Sequence, residues 1–108
     1  SGGRNIGVRP MEMMLLGLGG CTAFDVVMIL EKGRAAITGV EVELDAERAA
    51  EDPKVFTAVK LIYTFTGKDL KRAVVERAVA LSAEKYCSAS KMFELSAELT
   101  HEIIIQEA

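Results

Sequence analysis

Cysteine and histidine are scarce in this 108-residue chain, which has two cysteines, one histidine and no tryptophan. Two widely separated cysteines, Cys21 and Cys87, are too few for a secreted disulfide scaffold. A zinc site usually takes four Cys or His ligands, so with His101 as the lone histidine such a site would need other donors. Two working thiols in a reducing cytoplasm fit the count better. Basic excess is also lacking: 13 Lys and Arg against 16 Asp and Glu give a net charge of −3. No basic stripe exists to neutralise a phosphate backbone, and a nucleic-acid partner is not expected. No signal peptide is expected either, because Ser1 to Pro10 is polar and glycine-rich, and Ser1-Gly2 reads as a remnant of expression.

What the chain does have is apolar residues, 50% of the total. They suffice for one domain spanning 1–108. The longest apolar run, Met13 to Leu30, approaches the length of a membrane span. It contains Asp25, Thr22 and three glycines and lacks interfacial Trp or Tyr. An uncompensated Asp at bilayer depth costs roughly 2.5–3.5 kcal/mol, so no membrane span is expected. Pro10 suits the first position of a helix, where its missing N–H costs nothing. That helix is expected to run to Lys32 and stop at Gly33. Being apolar on every face, it predicts burial on all sides, which one small domain can hardly supply, so a partner chain is implied.

From Ala35 the period changes to two. Val40, Val42, Leu44 and Ala46 alternate with Glu41, Glu43, Asp45 and Glu47, predicting a half-buried strand with a solvated acidic face. After Glu51-Asp52-Pro53 a second strand places Val59, Leu61, Tyr63 and Phe65 on one face. Lys68 to about Tyr86 predicts an amphipathic helix, with Leu70, Val74, Ala78 and Leu81 along one side. Cys87 to Ser90 reads as a break, followed by a short helix near Lys91 to Glu94. A last strand is expected from about Ala97 to Gln106. The order predicts an α+β fold: an antiparallel sheet, a long buried central helix and a second amphipathic helix. Three strands leave exposed edges, a further reason to expect missing strands or a partner.

Chemistry centres on the cysteines. Cys21 follows two glycines that cost roughly 1 kcal/mol each inside a helix, which suggests close backbone packing or room beside the sulfur. A small buried core thiol explains the same residues. Cys87 sits between two predicted helices, where backbone N–H groups and Ser88 or Ser90 hydroxyls can stabilise a thiolate, or it is half-buried structure. Together they allow more: one thiolate attacks a peroxide and becomes a sulfenic acid, and the second thiol converts that to a disulfide. The pair needs Cα atoms within about 7 Å. Asp25, one turn after Cys21 on the same helix face, would raise rather than lower a thiol pKa; a buried structural hydrogen bond is its expected role. His101 is expected at the surface or hydrogen-bonded, and Met11, Met13 and Met14 in the core or lining a pocket.

The run Arg9-Pro10-Met11-Glu12-Met13-Met14-Leu15-Leu16-Gly17-Leu18-Gly19-Gly20-Cys21-Thr22-Ala23 resembles the central-helix motif of OsmC/Ohr-like proteins. Ala83-Glu84-Lys85-Tyr86-Cys87-Ser88-Ala89-Ser90 resembles their second cysteine motif. The resemblance covers Gly7 to about Ile105 and points to a divergent branch lacking the family's N-terminal strands. It implies an intertwined homodimer with sites at the subunit interface. It further implies thiol-dependent reduction of organic hydroperoxides or peroxide in stress defence, with Cys21 attacking and Cys87 resolving. A dithiol such as dihydrolipoamide would recycle the pair, with no metal or organic cofactor. Two departures accompany it. The family's activating arginine has only Arg4 or Arg9 as upstream candidates, neither at a motif position. The family's catalytic glutamate position is Met11, and Glu12 lies about 100° further around the helix. The other reading is a module of the same fold that binds a small ligand in an apolar cleft without peroxidase chemistry.

Overall fold

A computed structural model of the chain describes residues 10–108. Arg4 and Arg9 lie outside the described residues. Helix α1 spans Pro10–Lys32, β1 Ala36–Arg48 and β2 Phe56–Lys68. Helix α2 covers Arg72–Leu81, a π-helical turn follows over Ser82–Tyr86, then α3 over Ser88–Glu94 and β3 over Glu98–Glu107.

Alternation in β1 and β2 produces the expected hairpin. The strands pair antiparallel, with Val42 opposite Tyr63 and Leu44 opposite Leu61. Val59, Leu61, Tyr63 and Phe65 are fully buried on the helix-facing side. Glu41, Glu43, Asp45 and Glu47 are exposed, as a solvated row should be. On the same open face Lys60 pairs with Glu102 at 2.8 Å.

The fold is α+β as expected, but its sheet is mixed rather than antiparallel throughout: the order is β1-β2-β3 and β3 runs parallel to β2. The reason is the connection. Two helices and the π-helical turn intervene between β2 and β3, and such a crossover returns the chain to the end where β2 began.

Helix α1 packs across the sheet through one stripe, Leu18, Thr22, Val26 and Leu30, spaced one turn apart and all buried. Full burial of each apolar member contributes about 1.5–3 kcal/mol. Burial on all sides, expected from the sequence, is not seen within one chain: Met13, Leu16 and Phe24 are 61%, 60% and 69% exposed. By length and composition α1 could cross a membrane, yet its inner stripe supplies the core of the domain. It ends with Ala35 N–H donating to Leu30 O at 3.0 Å. The left-handed residue that closes the helix is Arg34, at φ 62°, and not the adjacent Gly33.

Candidate functional site

Gly19 and Gly20 do different things. A Cβ on Gly19 would stand 2.9 Å from a Leu44 methyl, so its bareness lets α1 settle onto β1. Gly20 faces open space. Between that opening and the core sits Cys21, half-buried. Thr22, next along, turns inward and donates its hydroxyl back to Gly19 O at 3.1 Å.

Cys87 reaches the same place from the far side of the crossover. The π-helical turn carries one more residue than an α-turn, closing with Cys87 N–H donating to Ser82 O at 2.7 Å. Cys87 then leaves helical geometry, at φ −85° and ψ 103°, and caps α3 by accepting the Ser90 N–H at 3.3 Å on its sulfur. The result brings the two sulfurs to 2.9 Å, the Cys87 thiol donating to Cys21. Both are free thiols.

The two thiols are not equivalent. Cys87 is 1% exposed. Burial pushes its pKa above the ordinary 9.0, and the Cys21 sulfur adds to the rise. Ser90 opposes through its side chain and N–H but is outweighed. That hydroxyl approach is weak, since Ser90 Oγ has no partner of hydrogen-bond geometry. The donors expected to favour a Cys87 thiolate are therefore present and insufficient. Tyr63 lies beneath, its phenol pushed up to about 12 chiefly by burial, with Thr22 pulling the other way and Cys87 adding to the rise. Its hydroxyl, too, lacks a well-formed hydrogen bond. Tyr63 is legible in the sequence only as a core-facing strand residue; nothing local marks its closeness to the thiols.

Asp25 joins the pair. One of its carboxylate oxygens and both sulfurs lie within 4.8 Å of one another. The structural hydrogen bond expected of Asp25 is not formed among the described residues: Oδ2 is buried without a partner. Glu12 sits exposed in the first turn of α1. Nine residues of helical rise put it about 13 Å from Cys21 along the axis, so within one chain it does not join the cluster. His101 stacks on Tyr63 from β3, centroids 6.0 Å apart.

An apolar cavity of about 490 Å³, lined by Met11, Met14, Leu18, Phe56, Met92 and Phe93 but by neither cysteine, opens between α1 and α3. Phe56 and Phe93 stack at 5.9 Å to form part of its wall. Two of the three N-terminal methionines thus line a cavity rather than the closed core. The cluster and cavity together offer two thiols in hydrogen-bond contact, a nearby carboxylate and an apolar space for a substrate.

Residues 2–102 match the family described as OsmC-like protein. Protein YhfA of Escherichia coli strain K12 is 53% identical over 92 residues, 85% of this chain and 69% of that protein. A hypothetical protein from Aquifex aeolicus superimposes with a TM-score of 0.90 at 30% identity, over 94% of this chain and 76% of that one. An organic hydroperoxide resistance protein OsmC from Legionella pneumophila, 19% identical, shares the fold at a TM-score of 0.76 over 95% and 74% of the two chains.

Proposed function

We propose that this chain, which belongs to the OsmC-like protein family, reduces organic hydroperoxides through a dithiol–disulfide cycle of Cys21 and Cys87. The observation that carries the reading is the 2.9 Å separation of the sulfurs. Cys21, the more accessible, attacks as thiolate: its sulfur bonds to the outer peroxide oxygen, the O–O bond breaks, and the alcohol leaves after taking a proton. Cys21 is then a sulfenic acid. The Cys87 thiol attacks that sulfur, water leaves, and a disulfide forms. Two electrons have passed from the thiols to the peroxide. A dithiol reductant, such as dihydrolipoamide, returns them by exchange.

The apolar cavity lined by Leu18 of the Cys21 helix and by Ala89 and Phe93 of the Cys87-capped helix supports an apolar substrate. The resistance protein from Legionella, with the same fold, supports the hydroperoxide class. Two further elements belong to the proposal. A second copy covers the exposed outer face of α1, and the cycle runs in the cytoplasm, where thiols stay reduced.

The test is hydroperoxide consumption with a dithiol reductant present. Cys21→Ser abolishes turnover, because no sulfenic acid can form. Cys87→Ser slows turnover and leaves Cys21–SOH trappable by a sulfenic-acid reagent. Undiminished consumption by Cys21→Ser would sink the reading. Inert thiols in the parent would favour the other reading of the same cavity, a module that binds an apolar ligand without redox chemistry.

A further inference from the structure

The carboxylate beside the thiols has no part in the redox cycle. Asp25 Oδ2 is buried and meets no donor among the described residues, and no described Lys or Arg pairs with Asp25. Asp25 is half-buried as a residue, but an oxygen buried without a donor is costly, and a cation is one means to satisfy it. One Asp25 carboxylate oxygen lies within 4.8 Å of both sulfurs, and sulfur ligands select a soft or borderline ion over calcium or magnesium.

We propose that the reduced Cys21–Cys87 pair and Asp25 form a site for one thiophilic divalent cation of the zinc class. The three ligand atoms already lie within 4.8 Å of one another. Zinc–sulfur bonds of about 2.3 Å at a tetrahedral angle set sulfur atoms about 3.8 Å apart, so the pair opens by less than an ångström from its 2.9 Å separation. Asp25 reaches the ion from one turn further along α1, on the face that presents Cys21. Three protein ligands leave a fourth position for solvent, reached past the half-buried Cys21 and Asp25.

On binding, each thiol gives its proton to solvent and each sulfur bonds the ion; no electrons move. A sulfur held by the ion cannot also bond its neighbour, so metal and disulfide exclude one another. Binding needs only the thiol state, and is independent of whether the pair reduces peroxide.

The experiment titrates the fully reduced protein with cadmium, without oxidant, following the ultraviolet sulfur-to-cadmium charge-transfer absorption, and then displaces cadmium with zinc. Saturation at one ion per chain is expected. The same titration on protein oxidised to the disulfide gives no band. Asp25→Asn keeps both sulfurs and loses at least about tenfold in affinity, by analogy with the loss seen when a supporting group of a metal site is removed. Asp25→Ser repeats the comparison if Asp25→Asn does not fold. No band at stoichiometric cadmium overturns the proposal. So does unchanged affinity without the carboxylate, which would leave two thiols binding metal with no built site. Peroxide turnover that persists in protein unable to bind metal separates this failure from failure of the redox reading.

Discussion

Tyr63 places a hydroxyl at the bottom of the thiol cluster with no well-formed hydrogen bond. Its phenol titrates near 12 against an ordinary 10.0. The folded chain therefore holds this proton over a range in which the unfolded chain has lost it. The resulting stability is complete below pH 10 and is lost as pH rises from 10 toward 12, by an amount on the order of 2 kcal/mol. Tyr63→Phe removes this dependence. Denaturant unfolding at pH 8 and pH 11 should show a smaller alkaline loss in the variant than in the parent. At pH 8 the variant is as stable as the parent or about 1 kcal/mol more so, since a buried group without a partner has gone. At this scale the sequence is informative about the cysteines, which stand in recognisable motifs. It is silent about Tyr63, because strand alternation reports which face a residue takes and not what faces it across the core.

Among the elements, the π-helical turn at Ser82–Tyr86 sets the direction of Cys87. Deleting one of its exposed residues, Lys85, restores α-helical spacing and turns the following residue by about 100°. The thiols then no longer meet. Mild oxidation should fail to form the intramolecular disulfide that the proposed function expects of the parent, while far-ultraviolet circular dichroism stays nearly unchanged; a disulfide formed at the parent rate would show that the turn does not aim the sulfur. Apolar periodicity over Lys68 to Tyr86 suggests one uninterrupted helix, because a single widened turn shifts the pattern too little to be read from so few residues. The break at Cys87 is legible, since Cys87-Ser88-Ala89-Ser90 offers cap chemistry. Strand direction is the other element that the pattern hides. Residues Leu99, Ile103 and Ile105 face the core whichever way β3 runs, and only the length of the crossover favours the parallel arrangement.

For the molecule as a whole, the uniform apolarity of α1 predicts more burial than one chain provides. Met13, Leu16 and Phe24 present an apolar surface on the side away from the sheet. If a second copy covers it, sedimentation equilibrium will give twice the chain mass for the parent and the single-chain mass for the double substitution Leu16→Glu, Phe24→Glu, which spares the inner stripe. A parent that sediments as one chain would show that this face is covered in some other way. Fold class is legible because a long apolar helix opening at Pro10 gives way at Ala35 to strands of period two and then to an amphipathic helix. The assembly of the thiol site is not, because Cys21 and Cys87 lie 66 residues apart and meet only through the crossover. The same α3 that is capped by the Cys87 sulfur also carries Ala89, Met92 and Phe93 along the cavity. It works as a ruler fixed at its zero mark. Five residues of helical rise set Met92 about 8 Å from the capped end; on the proposed function a guest would have to match that span before its oxygen atoms could touch sulfur, and reach would become a criterion of selection alongside greasiness.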